Sequence, residues 1–279
     1  MAALFFCPTD PLTMKILGIL NITTDSFSDG GKYLAADAAL AHAASLMEDG
    51  ADILDIGAAS SNPDAKAVAP QVEIARLQSV LPVLKERGFS LSVDSFATDV
   101  QRWALTQVVD YLNDIHGFAD PDFYPELASS SARLIVMHMV QEHGVAVRTE
   151  VPSGEIFERV VRFFDARVTS LEKAGIARDR LILDPGMGQF VGSDPENSLI
   201  LLRRLPELRA RYELPLLVSV SRKGFLRKLA DQPVEHAGAA TLAAELFAQA
   251  QGAGYIRTHA PAPLRDGVKV LKAIGKVGC

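Results

Sequence analysis

Short apolar runs alternate with amphipathic stretches along most of the chain. The apolar runs are nearly continuous rather than alternating, which is typical of parallel strands that are covered on both faces. Eight runs have this character: KILGILNIT, DILDIGA, SLSVDSF, YLNDI, RLIVMHM, LILDPG, PLLVSVS and YIRTHA. Three of the stretches between them, residues 37–50, 155–175 and 241–252, have apolar positions spaced at about 3.6 residues and end in glycine, which predicts helices.

A strand followed by a helix, repeated eight times, is the pattern of an α/β protein with the (β/α)8 TIM barrel fold. The chain has 279 residues, which suits one barrel of about 250 residues. We therefore predict a single barrel domain over residues 15–279, preceded by an N-terminal extension over residues 1–14. The alternative is an open doubly wound sheet, but the glycine-rich dinucleotide fingerprint expected after its first strand is missing.

The overall charge argues against two classes of partner. The formal net charge is −6, whereas nucleic acids and anionic membranes favour a positive surface. The two cysteines, Cys7 and Cys279, lie at opposite ends of the chain, which does not suggest a disulfide framework. No apolar run reaches about 18 residues and no export signal is evident. We therefore expect a cytoplasmic protein with small-molecule partners, without nucleic acid or membrane.

Polar side chains occur at the carboxyl end of nearly every predicted strand. In chain order they are Asn21, Asp55, Asp94, Asn113, Asp114, His138, Asp184, Ser221, Arg222, Lys223, Arg257 and His259. The carboxyl ends of barrel strands meet at one mouth, where the active sites of this fold are built. These side chains are therefore expected to share one cavity.

Several of these residues also have a structural explanation when they are taken alone. Asp55 and Asp184 could be turn or helix-capping residues, and Asn113 and Asp114 could cap the following turn. His138 could be a histidine that is satisfied inside the core. The joint arrangement favours a site, because independent capping residues would not place amides, carboxylates and cations at nearly every strand end.

The residue types indicate a phosphate-type leaving group. The cations and the histidine of the last two strands lie where barrels commonly hold a phosphate, and they are Arg222, Lys223, Arg257 and His259. Asn21 and the hydroxyl and carboxylate groups after it offer hard oxygen ligands for Mg²⁺. No paired-cysteine or His-x-x-x-His signal for zinc is present. Buried Asp94, Asn113 and Asp184 suit a flat heterocycle that is rich in hydrogen-bond donors and acceptors.

Seven segments resemble dihydropteroate synthases, in the same order and along almost the whole chain. They are GILNITTDSFSDGG, DILDIGAASSNPDA, SVDSF, YLNDI, LILDPGMG, SVSRKGF and IRTH. The resemblance implies a transferase of folate biosynthesis with a barrel fold. Members of this family join 6-hydroxymethyl-7,8-dihydropterin diphosphate to 4-aminobenzoate, releasing pyrophosphate and forming 7,8-dihydropteroate. The resemblance also implies a Mg²⁺ cofactor and a homodimer formed through helices near the end of the barrel.

Site residues follow from the same resemblance. It implies that Asp94, Lys223 and Asn21 are catalytic, that Asp94, Asn113, Asp184 and Lys223 bind the pterin, and that Asn21, Arg257 and His259 bind the diphosphate. Asn21 would also be the metal ligand. The aminobenzoate site would contain Ser61, Ser221, Gln189 and Phe190, while Asp55 and Asp114 would only order the surroundings. Asp94 would stabilise positive charge at the pterin methylene, which the neutral aniline nitrogen then attacks.

Departures from the family pattern are concentrated at the aminobenzoate site. After the second strand, typical members read G-G-E-S-T-R-P, whereas residues 57–63 read GAASSNP and lack the carboxylate and the arginine. The sixth strand continues as GMGQFVGSDPENS instead of a glycine-rich stretch, which resembles the sulfonamide-resistant synthases. A bulky Phe190 at the pocket rim is expected to exclude a tetrahedral sulfonamide more than the planar substrate. Gln189 stands where those enzymes have a first phenylalanine, and Phe190 could also be simple loop packing.

Two other functions remain open from the sequence. A methyltetrahydrofolate-binding methyltransferase would hold a pterin in a similar barrel, but it has no diphosphate for the cations of the last strands. A catalytically silent pterin-binding paralogue is a second alternative, although retention of the catalytic side chains disfavours it.

Overall fold

The computed structural model describes residues 14–23, 32–60, 67–141, 144 and 149–275, with backbone only for residues 32–35. The strands within these ranges are β1 Lys15–Asn21, β2 Ile53–Gly57, β3 Leu91–Asp94, β4 Tyr111–Asp114, β5 Arg133–Met137, β6 Leu181–Asp184, β7 Leu217–Val218 and β8 Tyr255–Thr258. The α-helices are α1 Lys32–Glu48, α2 Pro70–Glu86, α3 Thr98–Thr106, α4 Tyr124–Ser129, α5 Ile156–Lys173, α6 Pro195–Arg203, α7 Leu205–Tyr212, α8 Gly224–Ala230, α9 Gly238–Ala250 and α10 Pro261–Gly275.

The strands form one parallel sheet that closes on itself. Their order is β6-β5-β4-β3-β2-β1-β8-β7, and every named pairing is parallel. The two ends of this order meet in a parallel bridge between Leu183 and Leu216, where the Leu183 amide donates to the Pro215 carbonyl at 2.9 Å. The TIM barrel prediction is confirmed. The boundary of the predicted N-terminal extension stays a prediction, since residues 1–13 lie outside the described residues.

An apolar layer fills the lower interior of the barrel. It consists of one buried side chain from each of seven strands, namely Leu17, Ile53, Tyr111, Ile135, Ile182, Leu217 and Tyr255. Side chains two residues further along a strand return to the same face. This step carries Ile53 to Asp55 and Tyr111 to Asn113. It equally carries Ile182 to Asp184 and Tyr255 to Arg257, so a polar layer stands directly above the apolar one.

The helices cover the outside of the barrel, as their amphipathic patterns predict. The clearest case is α5, whose buried residues Ile156, Val160, Phe164 and Leu171 recur at helical spacing. The chain leaves this helix at Gly175, whose φ of +88° favours glycine, as the sequence indicates. The helices predicted over residues 37–50 and 241–252 begin earlier in the structure, at Lys32 and Gly238.

The seventh strand is shorter than the run PLLVSVS predicts, because only Leu217 and Val218 pair in the sheet and the chain then turns toward the mouth.

Among the described residues, no helix combines the length and the apolar character that a membrane span requires.

Candidate active site

A cavity of about 1800 Å³ opens at the carboxyl ends of the strands. Ten of the predicted site residues line it: Asn21, Asp94, Asn113, Asp184, Gln189, Phe190, Ser221, Lys223, Arg257 and His259. Arg222 lines it as well. Ser61 lies outside the described residues, so the structure does not place it. Most of the strand-end residues predicted to share one cavity therefore do so, whereas Asp55, Asp114 and His138 are buried and do not line it.

Arg257 lies at the centre of the polar layer. Its Nε donates to Asp55 Oδ2 at 2.5 Å, and its Nη2 donates to Asp94 Oδ2 at 2.6 Å. The Asp55 side chain is fully buried, while those of Arg257 and Asp94 are 18% and 22% exposed. Asn113 Nδ2 adds a contact of 3.3 Å to Asp55 Oδ2. Asp55 thus holds Arg257 from below, and Asp94 meets it at the cavity surface.

Burial shifts the protonation equilibria of this layer. It raises the pKa of Asp94 to about 7, with Arg257 opposing the shift and Asp55 adding to it. Burial also raises the pKa of Asp184 to about 6, against the hydrogen bond from Gly186 and the charge of Lys223. The pKa of Lys223 falls to about 8, mainly through burial. Burial opposes the charge of Arg257, but the two carboxylates raise its pKa above the ordinary value.

The side chains of Asp184 and Asp114 each accept backbone amides in the loop that follows their strand. Asp184 Oδ1 accepts the Gly186 amide at 2.8 Å, in a turn where a Cβ on Gly186 would lie 2.4 Å from the His138 carbonyl oxygen. Asp184 nevertheless lines the cavity. Asp114 accepts the amides of His116 and Phe118, both at 2.8 Å, and it is not among the lining residues. Asp114 therefore orders the loop after β4.

Lys223 contacts the aromatic ring that sequence analysis placed at the pocket rim. Its Nζ lies 4.3 Å from the centroid of Phe190, within the range of a cation–π interaction. Phe190 lies in the short 3₁₀ turn Gly188–Val191 between β6 and α6. Gly188 permits a close approach, since a Cβ there would lie 3.2 Å from Lys223 Cδ. The Gln189 Oε1 atom has no hydrogen-bonding partner among the described residues.

Ser221 and His259 form a second hydrogen-bonded pair in the cavity lining. Ser221 Oγ lies 3.0 Å from His259 Nδ1 and accepts the His259 backbone amide at 3.2 Å. Burial lowers the pKa of His259 to about 4, and the nearby cations Arg222, Arg257 and Lys223 lower it further. His259 is therefore neutral near pH 7, and it has one ring proton to donate.

His138 lies in the core and not in the cavity. It is 3% exposed, its Nδ1 lies 3.1 Å from the Pro185 carbonyl oxygen, and its ring packs edge-on against Phe163 with centroids 5.3 Å apart. Burial lowers its pKa to about 4. The structural explanation therefore applies to His138.

Sequence analysis missed a group on α2 that lies against the same mouth. Arg76 lines the cavity and donates from Nη1 to the Ala58 carbonyl at 2.5 Å. Glu73, one turn earlier, accepts the Ser95 hydroxyl at 2.9 Å. Their only signal in the sequence is a pair of charged residues three positions apart on the buried side of an amphipathic helix.

The donor set at the mouth suits a hard metal ion only in part. The described residues contain no group of three or more His, Cys, Asp or Glu side chains that could hold a metal. Asn21 is exposed at the end of β1, and its Oδ1 lies 3.5 Å from the position that a Cβ on Gly57 would occupy. One amide oxygen fits the habit of Mg²⁺, which keeps several waters and binds substrate phosphates.

Fold and cavity together define a barrel enzyme for small molecules, and comparison with known proteins narrows the class. A profile of pterin binding enzymes matches residues 17–259. The type-2 dihydropteroate synthase of Escherichia coli is 58% identical over 262 residues, which are 94% of this chain and 96% of that protein.

Solved structures give the same result. A dihydropteroate synthase from Xanthomonas albilineans with 4-aminobenzoic acid is 34% identical, with a TM-score of 0.84, over 95% of this chain and 94% of that one. The enzyme from Anaplasma phagocytophilum with bound 6-hydroxymethylpterin-monophosphate is 32% identical, with a TM-score of 0.83, over 94% and 99%. The chain belongs to the dihydropteroate synthases. The family and the transferase activity expected from the sequence are confirmed.

Replacing His138 by glutamine should flatten the pH dependence of the free energy of unfolding between pH 6.5 and 4. The folded state keeps His138 neutral, whereas the unfolded state binds a proton below pH 6.5. The stability that His138 contributes is therefore present above pH 6.5 and is lost as the pH falls toward 4. The loss is of order 3 kcal/mol. Urea unfolding at several pH values measures it, and parallel curves for both proteins would contradict the assignment.

Proposed function

We propose that this cavity joins 4-aminobenzoate to 6-hydroxymethyl-7,8-dihydropterin diphosphate, with the site residues in the roles given below. The observation that carries the proposal is the convergence of two unlike groups in one cavity. Lys223, Arg257 and His259 supply cations and a neutral donor, and a set of amide and carboxylate groups faces them, formed by Asp94, Asn113 and Asp184. An anionic leaving group and a flat polar ring need these two kinds of surface.

The pterin ring is assigned to the polar layer above the apolar barrel core. Asp184 and Asn113 offer oxygen acceptors for the amine and amide edge of the ring, and Lys223 donates to a ring nitrogen or oxygen. Asp94 then lies beside the exocyclic methylene. Paired with Arg257 at 2.6 Å, its carboxylate is held in place while a positive charge develops on that carbon.

The diphosphate is assigned to Asn21, Arg257 and His259. Arg257 has five N–H donors, of which two are used by Asp55 and Asp94, so others remain for phosphate oxygens. His259 is neutral and donates its ring proton. Asn21 Oδ1 would hold Mg²⁺, which supplies charge neutralisation to the diphosphate when it is bound.

The reaction exchanges one bond for another at the pterin methylene. The bond between this carbon and the diphosphate oxygen breaks, and its electron pair leaves with the diphosphate. The lone pair of the aniline nitrogen forms the new C–N bond, and the nitrogen then releases a proton to the diphosphate or to water. An aniline has a free lone pair at neutral pH, so the chain needs no strong base.

The aminobenzoate is assigned to the part of the cavity lining that contains Ser221, Gln189 and Phe190, and Ser61, which lies outside the described residues, is assigned to it from the family resemblance alone. Because the Ser221 hydroxyl already contacts His259 Nδ1, a benzoate carboxylate that binds Ser221 would also be linked to the diphosphate donor. Solved relatives carry 4-aminobenzoic acid or a pterin monophosphate, which supports both substrate classes.

Replacing Asn21 by alanine should lower kcat at least about 100-fold while the barrel stays folded. The measurement is pyrophosphate release with and without 4-aminobenzoate, together with thermal unfolding. Lys15→Ala is the matched control, because Lys15 is exposed at the other end of the same strand. Absence of 4-aminobenzoate-dependent release in the unsubstituted chain would exclude the synthase and favour a silent paralogue or a methyltransferase. Loss of folding in Asn21→Ala would make Asn21 structural.

We also propose low sulfonamide sensitivity, with Phe190 as its cause. Phe190 is 8% exposed and packs with Ile115, Met137 and Met139, so its ring has little room to move aside for a larger ligand. Phe190→Ala should increase the affinity for sulfamethoxazole relative to 4-aminobenzoate by about 10-fold. Phe225→Ala, which removes the same kind of ring from another position in the cavity lining, should leave that ratio near its original value. An unchanged ratio in Phe190→Ala would contradict the proposal.

The protein is further proposed to be a cytoplasmic homodimer. Exposed apolar side chains on two helices that pack together support the dimer: Phe247 of α9 and Val270 and Ile274 of α10, the last 64% exposed. The absence of a disulfide framework supports the location. Ile274→Glu should convert the dimer to a monomer in sedimentation equilibrium, whereas Val108→Glu, at a 66% exposed valine elsewhere, should not. A monomeric unsubstituted chain would refute the dimer.

A further inference from the structure

Glu73 and Arg76 are buried on α2, and the proposed reaction does not use them. They are 3% and 4% exposed, although they are a carboxylate and a guanidinium. Burial raises the pKa of Glu73, against its hydrogen bond with Ser95 and the charge of Arg76. Burying two such groups is costly unless each makes specific contacts. Those contacts therefore indicate what the two residues do.

Each residue holds the exit of a different barrel strand. Arg76 Nη1 donates to the carbonyl of Ala58, the residue after β2, at 2.5 Å. Glu73 Oε2 accepts the hydroxyl of Ser95, the residue after β3, at 2.9 Å. Ser95 is tied further, since its carbonyl accepts Gln101 Nε2 at 2.7 Å. One turn of α2 thus contacts both strand exits.

These two exits carry the chemistry of the proposed site. Asp94 directly precedes Ser95, and the residues after Ala58 line the cavity as Ala59 and Ser60. The exits also meet each other: a Cβ on Gly57 would lie 3.8 Å from Asp94 Oδ2. A displacement of the β3 exit would therefore change the position of the Asp94 carboxylate relative to Arg257, whereas a displacement of the β2 exit would first move Ala59 and Ser60 in the cavity wall.

We propose that Glu73 and Arg76 are positioning residues, with Glu73 acting on Asp94 through Ser95 and Arg76 acting on the aminobenzoate side of the cavity through Ala58. The inference rests on the proposed function, because it takes Asp94 as catalytic and the lining residues Ala59 and Ser60, directly after Ala58, as part of the aminobenzoate site. It predicts different kinetic effects for two charges one turn apart. Displacing Asp94 affects the transition state and thus kcat, whereas displacing the exit of β2 affects binding and thus KM.

The Glu73 contact is tested with a conservative and a disruptive variant. Glu73→Gln keeps an oxygen acceptor for the Ser95 hydroxyl and should retain kcat within about threefold. Glu73→Leu fills a similar volume without an acceptor and should lower kcat about 10- to 100-fold with little change in KM for aminobenzoate. Ser79→Ala, on the same helix, should change neither value, since its hydroxyl only bonds the Arg76 carbonyl.

A double-mutant cycle isolates the route through Ser95. Ser95→Ala should reproduce the kcat loss of Glu73→Leu, and the double variant should lose no more than either single one. If the losses of kcat add in the double variant, Glu73 does not act on Asp94 through Ser95.

Arg76→Met should raise KM for 4-aminobenzoate about tenfold with kcat nearly unchanged, whereas Arg76→Lys should restore part of the binding. If Glu73→Leu and Arg76→Met changed kcat to the same extent and KM to the same extent, Glu73 and Arg76 would have only a structural role.

The outcome is separable from a failure of the proposed function. Binding of 4-aminobenzoate in the presence of Mg²⁺ and inorganic diphosphate, measured by calorimetry, should be about tenfold weaker in Arg76→Met and unchanged in Glu73→Leu, whatever the turnover. If Glu73→Leu does not fold, Ser95→Ala alone decides the kcat effect. Unchanged kcat in a folded Ser95→Ala would overturn the role of Glu73, and unchanged aminobenzoate binding in Arg76→Met would overturn that of Arg76.

Discussion

The ion pairs of Arg257 with Asp55 and Asp94 constrain everything else at the mouth of the barrel. Two carboxylates inside a closed sheet would repel each other and any anionic substrate, and one of them, Asp55, has no exposed surface. A single guanidinium from β8 pairs with both because its donors point in fixed directions. The same contacts fix Asp94 at the surface of the cavity, where a carboxylate faces the substrate. Removing one carboxylate would leave Arg257 held by the other alone, with less of its buried charge compensated, so the geometry of the site and the stability of the barrel depend on the same three side chains.

This constraint follows from strand register. The apolar layer and the polar layer differ by two residues along β2, β4, β6 and β8, so a shift of one residue in one of these strands would turn its polar side chain away from the mouth. The shear of the barrel then determines which polar side chains meet. Asp55 lies low enough to be covered, and Asp94 on the neighbouring strand, paired at Gly57, lies high enough to reach the cavity. Two aspartates with the same sequence signature therefore have different surroundings.

The fold was predictable because it depends on local patterns, and the site was predictable to the extent that strand ends determine it. Continuous apolar runs, amphipathic intervals and terminal polar residues gave eight strands, one barrel and a shared mouth. The same patterns could not separate His138 from His259, since each follows an apolar strand. The difference is tertiary: His138 packs edge-on against Phe163, while His259 contacts Ser221. Glu73 and Arg76 were missed for a related reason. Their partners lie 22 and 18 residues away, on strand exits that only the closed barrel brings next to α2.

The proposed drug discrimination and the proposed catalytic role of Lys223 share one contact in this cavity. Phe190 would exclude a bulky sulfonamide by its size, but the same ring lies 4.3 Å from the ammonium group of Lys223, which burial has already made easier to deprotonate. The face of an aromatic ring favours the charged form of the amine. On the proposed function, a smaller residue at position 190 would therefore remove a barrier to the drug and also a contact that favours the charged form of Lys223. The proposed exclusion of the drug and the contact with Lys223 thus both depend on the size and the position of the same ring.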